Sequence, residues 1–301
     1  MSSKAWYKPS AVPRLVRKFR GTGTRSVEVW ETTCIVTNFG LKRKQRQEAA
    51  ATPSGSGSIS AESAGCSVLV NPANPDLSGP HKFPYFPRGG PEPRSQPKKD
   101  AHHIMGYVTQ WGGMDVGTGM LFSAAVIDGM VHQLGGLRLR AECKLKRTMD
   151  SGTGERCPVG KAVATSSGGS DLKNEYDHIV HTVPPFFRQH PQVVGELRCC
   201  YQESLDLAFA LEGEADVGHQ ETRVAVPLLG AGCRGFPLEV ALNIAAQESA
   251  RWIKTDEGND GKENTGNRQS VIAFGVLEDD IARKLADAID VSISINKSYY
   301  N

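Results

Sequence analysis

Between residues 161 and 289 the chain alternates short β-branched runs with longer segments of helical periodicity, and that order constrains the fold more than any single motif. The runs "KAVATSS" (161–167), "DHIVHTVP" (177–184), "TRVAVPLLG" (222–230) and "SVIAFGVL" (270–277) have the length and composition of strands. The segments "VGELRCCYQESLDLAFALEG" (194–213), "PLEVALNIAAQESARWIK" (237–254) and "EDDIARKLADAI" (278–289) repeat apolar residues at helical spacing. A helix between two strands is a crossover connection, so the central strands are expected to run parallel in a layered α/β domain. No internal repeat interrupts the alternation, and no boundary divides it into two cores.

Upstream of this region the signals are more mixed. "CSVLV" (66–70) is a continuous apolar run suited to a strand covered on both faces. "RSVEVWETTCIVTNF" (25–39) alternates well enough to be read as a first strand pair. "MLFSAAVIDGMVHQLGG" (120–136) reads as a helix of about four turns ending at a glycine pair. Two stretches resist such a reading and are expected to be insertions: a Ser/Gly/Ala/charge-rich segment at about 41–64, and a Pro- and aromatic-rich segment at about 80–110. Residues 255–269 form a polar loop. Residues 1–24 are basic and lack acids, which suits an N-terminal arm or an organelle transit peptide, leaving 25–301 as the domain.

Composition narrows the class. The 35 Lys and Arg against 33 Asp and Glu leave a formal charge of +2, without the basic excess of a dedicated nucleic-acid binder. Seven cysteines form no CxxC pair, which fits free thiols in a reducing compartment and argues against a zinc site or disulfide framework. No apolar stretch reaches the ~20 residues that span a bilayer. The expectation is a soluble, monomeric, intracellular protein, cytoplasmic or nuclear, with organelle import left open by the basic arm, and with neither metal nor cofactor.

In open α/β sheets ligands bind beyond the carboxyl ends of the strands, where backbone amides and helix N-termini are exposed. Two such ends stand out here. "VNPAN" (70–74) closes the strand at 66–70 with Asn71 and Asn74, and "VPLLGAGCRGFP" (226–237) follows another strand with Gly230, Gly232 and Gly235. The second loop has the form of a phosphate cradle, since glycines let the chain turn tightly and approach a ligand closely. Taken alone, a glycine-rich turn also serves merely to reverse the chain, and asparagines merely to close a turn. "WGGMDVGTGM" (111–120) lacks the Lys and Ser or Thr of a Walker loop, which argues against a nucleoside triphosphate.

Taken in order, "VNPAN", "VIDGMVHQLGG…AEC", "CPVGKAVATSS", "HIVHTVPP", "LRCCYQESL" and "VAVPLLGAGCRGFP" resemble the macrodomain, the ADP-ribose-binding module, over residues 66 to about 254. The pattern is similar to the MacroD-type branch, with its "VNAAN", "GGGGVDGxIHRAAG…AEC", "VIHTVGP" and "PxISTGIYGFP". The resemblance implies a three-layer α/β/α sandwich with a mixed, largely parallel sheet. It also implies a site for ADP-ribose or an ADP-ribosylated protein, with hydrolysis of the ADP-ribosyl group. By position, Asn74 would orient the distal ribose while Asn71 shapes its loop. Gly230, Ala231, Gly232, Cys233, Arg234 and Gly235 would wrap the diphosphate, Phe236 would pack on the ribose, and Asp128 would act on water. His132 and His181 align with family histidines and read as packing residues.

Two departures from the pattern are plain. Ser123, Ala124 and Ala125 stand where relatives have glycines before the acid, so "GGMDVGTG" with Gly117 and Gly119 is an alternative ligand loop, with Asp115 in place of Asp128. Cys34 stands where relatives carry an adenine-binding acid. The alternatives to an ADP-ribosyl hydrolase are a non-catalytic ADP-ribose or nucleotide-binding module and an interaction protein with a lost pocket.

Overall fold

Among the described residues seven strands form one mixed sheet. In the computed structural model, residues 12–21, 23–37, 39, 66–79, 126–149, 152, 154–188, 191–211, 221–232, 234–254 and 269–298 are described. The strands are β1 (Arg14–Arg20), β2 (Arg25–Glu31), β3 (Cys66–Pro72), β4 (Ala162–Ser166), β5 (His178–Thr182), β6 (Glu221–Pro227) and β7 (Gln269–Val276). The helices are α1 (Ile127–Leu145), the single turn α2 (Ser170–Lys173), α3 (Val193–Ala210), α4 (Leu238–Lys254) and α5 (Asp279–Ser298). The sheet order is β1-β2-β7-β6-β3-β5-β4. The β2–β7, β7–β6, β6–β3 and β3–β5 pairs are parallel, and antiparallel pairs close both edges.

The alternation of side chains along the central strands builds two cores. Val68, Val70, Val224 and Val226 face one side of the sheet and pack with Leu197 of α3, Leu242 of α4 and Leu285 of α5. Leu69, Ala225 and Ile179 face the other side and pack with Val131 and Leu139 of α1 and Leu172 of α2. β3 and β6 are buried on both faces because helices cover both, which is why "CSVLV" reads as an unbroken apolar run. The fold is the expected three-layer α/β/α sandwich.

Three local expectations are corrected. Arg14–Arg20 is not outside the sheet: it is edge strand β1, antiparallel to β2, and its charges are placed by partners. Arg14 meets Glu31 and Asp279, Arg17 lies 2.9 Å from Asp287, and Lys18 lies 2.9 Å from Glu28. Residues 25–39 give one strand rather than a pair, since the chain leaves the sheet after Glu31 and turns through residues 35–37. Finally, helical geometry does break at the expected glycine pair, where Gly136 is non-helical (φ 61°), but a second helical stretch resumes directly after it and carries α1 on to Leu145. The expected insertions at 41–64 and 80–110 lie outside the described residues.

Candidate functional site

Because β3, β5 and β6 run parallel, their carboxyl ends deliver three loops to one edge, and α1 begins there too. The loop after β3 is braced by its own side chains. Asn74 donates from Nδ2 to the Gly79 carbonyl (2.7 Å), and its Oδ1 accepts from the Ser78 backbone N–H (3.1 Å) and the Ser78 hydroxyl (3.3 Å). The Pro75 carbonyl accepts from the N–H groups of Arg156 and Cys157, both at 3.0 Å. Asn74 is therefore a fully buried Asx bracket whose Nδ2 uses one of its two hydrogens on Gly79 and whose Oδ1 takes both Ser78 donors.

Asn71 faces the α1 side of the sheet. Its Nδ2 donates to Asp128 Oδ1 (2.8 Å) and lies 3.1 Å from His181 Nδ1 on the neighbouring strand, where Asn71 and His181 are in direct register. Asp128 sits in the first turn of α1, close to the positive end of the helix dipole, and His132 one turn on places Nε2 3.5 Å from Asp128 Oδ1. Gly79 (φ 78°) closes over His132; a Cβ there would come within 3.0 Å of the imidazole. Asn71, Asp128, His132 and His181 are all buried. Burial, assisted by the charges of His132 and Lys146, lowers the His181 pKa to about 3.

The loop after β6 is built differently, largely from backbone. The hydroxyl of buried Tyr201 accepts the Leu229 N–H (2.9 Å), Gly235 N–H donates to Gly232 O (3.0 Å), and Phe236 N–H donates to Gly230 O (3.1 Å). Gly230 (φ 84°) is irreplaceable in this conformation, since an added Cβ would lie 2.9 Å from the Phe236 ring. Phe236 is buried against Phe187 with ring centroids 5.1 Å apart. A cleft of about 310 Å³ borders the loop, lined by Phe187, Ala231, Gly235, Phe236 and Pro237 among others. Arg234 turns inward: it donates to the Ala73 carbonyl (2.7 Å), lies 4.3 Å from the Phe186 ring centroid, and so fastens the β6 loop to the β3 loop. Its guanidinium is thus committed to protein before any phosphate arrives.

Of the sequence-derived candidates, Asn71, Asn74, Asp128, Gly230, Ala231, Gly232, Arg234, Gly235 and Phe236 fall on these converging loops. Gly117, Gly119, Asp115 and Cys233 lie outside the described residues. Cys34, at the adenine position, is buried with its sulfur 3.7 Å from Met130 Sδ. Thr165, which meets His181 Nε2 at 2.9 Å, was not among the candidates, because its relation to Asn71 depends on strand order that no local pattern encodes. Among the described residues no cluster of His, Cys, Asp and Glu could hold a metal ion, and no helix is long and apolar enough to cross a membrane.

Comparison with known proteins places the chain in a family. The family model "Macro domain" matches residues 119–245. A macro domain-containing protein of Listeria monocytogenes is 33% identical over 144 residues, 48% of this chain and 73% of that protein. The chain belongs to the macro domain family. Rat ADP-ribose glycohydrolase MACROD1 is 29% identical to this macro domain chain over 136 residues, 44% of this chain and 45% of the relative. The Oceanobacillus iheyensis macrodomain solved with ADP superposes with a TM-score of 0.54 at 16% identity, covering 94% of this chain and 99% of that one, which supports the shared fold.

Proposed function

We propose that this macro domain binds ADP-ribose, or an ADP-ribosyl group on a protein, across the β3 and β6 loops and hydrolyses the bond that joins the group to its carrier. The observation that carries this reading is the placement of the Asp128 carboxylate at the start of α1, held by Asn71 at the end of β3, while Arg234 ties that strand end to the glycine loop. The loop at 230–236 supplies backbone donors and room for a diphosphate. Asp128 acts as a hydrogen-bond acceptor for water beside the reacting carbon, where positive charge develops as the bond breaks. The name and activity of MACROD1 add support by family. A second reading, recognition without turnover, is favoured by the deep burial of Asp128 and by the use of Asn74 to brace its own loop.

The test is a titration with ADP-ribose followed by release of ADP-ribose from a mono-ADP-ribosylated protein, for the wild type and Asp128→Ala. The expected result is binding by both, with release slowed by about 10²-fold or more in the variant. Binding without release by the wild type favours the recognition module, and the absence of binding overturns both readings.

A further inference from the structure

We propose that His181 and Thr165 are positioning residues for the Asp128 carboxylate, acting through the amide of Asn71. The inference rests on Asp128 being the working acid of the site, as argued above. Its basis is a count of donors and acceptors. Asn71 Nδ2 carries two hydrogens and has two neighbours in bonding range, Asp128 Oδ1 at 2.8 Å and His181 Nδ1 at 3.1 Å. Both hydrogens are used only if His181 Nδ1 is an acceptor, which places the imidazole proton on Nε2. At Nε2 the Thr165 hydroxyl oxygen lies 2.9 Å away and accepts that proton. The chain Thr165, His181, Asn71, Asp128 is thereby fixed in one sense, each donor facing one acceptor.

The amide has no other reason to point this way. Asn71 Oδ1 is buried with no hydrogen-bond partner among the described residues, so the orientation is imposed by the two acceptors and not by a donor to its own carbonyl. If the imidazole proton moved to Nδ1, N–H would face N–H. The amide would then turn over and set its oxygen against the carboxylate, replacing attraction by repulsion beside the acid. Thr165, on edge strand β4, is the acceptor that Nε2–H needs once Nδ1 accepts from Asn71, and so helps hold the amide with its N–H toward Asp128.

The surrounding groups do not take over this task. His132 approaches Asp128 Oδ1 at 3.5 Å from within α1. The Cys143 thiol lies 3.9 Å from His181 Nε2, and burial together with the nearby charges of Asp128 and Glu142 pushes its pKa up to about 12, so it stays protonated. The Cys157 thiol approaches His181 at its carbonyl, at 3.8 Å, and lies nearer the Lys161 carbonyl, at 3.3 Å. Lys146 acts at longer range, its positive charge favouring the neutral imidazole.

Thr165→Val keeps the shape and removes the acceptor, whereas Thr165→Ser keeps the hydroxyl. In protein labelled with ¹⁵N-histidine, long-range ¹H–¹⁵N spectra are expected to show His181 as the Nε2–H tautomer in the wild type and in Thr165→Ser, and as a mixture in Thr165→Val. Release of ADP-ribose should slow by about 10-fold in Thr165→Val, with the dissociation constant for ADP-ribose changed by less than about 3-fold and the rate restored in Thr165→Ser. A merely structural threonine would move neither the tautomer nor the split between rate and binding. An Nδ1–H tautomer in the wild type overturns the proposal, and so does a Thr165→Val protein with unchanged tautomer and rate. If the wild type binds ADP-ribose without hydrolysing it, the functional reading fails separately, and the tautomers of the wild type and Thr165→Val still decide the relay.

Discussion

The α1 face of the sheet buries two polar clusters, and they are satisfied in opposite ways. Around Glu28 every carboxylate oxygen is paired: Oε1 with Lys18 at 2.9 Å, Oε2 with Arg223 at 2.8 Å and with the Trp30 indole N–H at 2.9 Å. Arg223 is in turn flanked by the Trp30 and Phe39 rings, at 5.4 and 5.6 Å from its guanidinium carbon. The cluster at Asp128 includes the Asn71 amide, the His132 and His181 imidazoles and the Thr165 hydroxyl, and the Asn71 amide oxygen is left without a partner among the described residues. A saturated ionic cluster stiffens the sheet, whereas an unsaturated one at the strand ends keeps hydrogen-bonding capacity for something that binds there.

Breaking the ionic cluster should have the largest effect. Arg223→Met leaves the buried Glu28 carboxylate with only Lys18 and the Trp30 N–H and is expected to cost about 3 kcal/mol in chemical denaturation, the low end for a broken buried pair because Lys18 stays. The double change Glu28→Leu with Arg223→Met should recover most of that loss, because it removes the buried carboxylate along with the guanidinium and leaves only Lys18, which is exposed enough for water to solvate. A double variant as unstable as the single one would mean that the rings packed on Arg223, and not the ion pair, carry the energy. In the site cluster, Asn71→Leu leaves both the Asp128 carboxylate and His181 Nδ1 short of a donor. The expected loss is about 2–3 kcal/mol, together with slower release of ADP-ribose; a stability loss below 1 kcal/mol would show that water replaces the amide freely.

This contrast also marks where sequence reasoning reached its limit. Strands β3 to β7 and helices α3 to α5 were legible because their periodicity is set by burial, which local pattern records directly. β1 was not, because "RLVRKFR" is an edge strand whose charges sit on it as protection and as partners for Glu28 and α5, a pattern that reads as a basic arm. Gly136 does break the helix, as the pattern suggests, whereas Gly135 also serves close packing that no local pattern records: Gly169 N–H donates to the Gly135 carbonyl at 2.8 Å, and a Cβ on Gly168 would lie 2.6 Å from that same oxygen. Asp128 was found through family resemblance, whereas the partners that hold it come from β3, β4 and β5, and only the strand register brings His181 beside Asn71.

The smallest expected effect separates the two clusters by pH. His181 has a folded pKa of about 3 against an ordinary unfolded value near 6.5. Below about pH 6.5 the unfolded chain takes up a proton that the native imidazole refuses, so the stability this residue contributes is present above that pH and is lost progressively down to about pH 3. Between pH 7 and pH 5 the loss amounts to about 2 kcal/mol. Burial alone would raise the Glu28 pKa, but Arg223, Lys18 and Trp30 outweigh it and the net shift is downward. Its contribution is therefore complete above the ordinary carboxylate value and is lost only at lower pH, outside this window. Urea midpoints at pH 7, 6 and 5 should fall for the wild type, and His181→Gln, whose amide can accept from Asn71 and donate to Thr165 without titrating, should remove about that much of the slope. An unchanged slope in His181→Gln would mean that His181 takes up its proton in the folded state near the ordinary pKa, and the site cluster would then lose the fixed proton arrangement that distinguishes it from the ionic one.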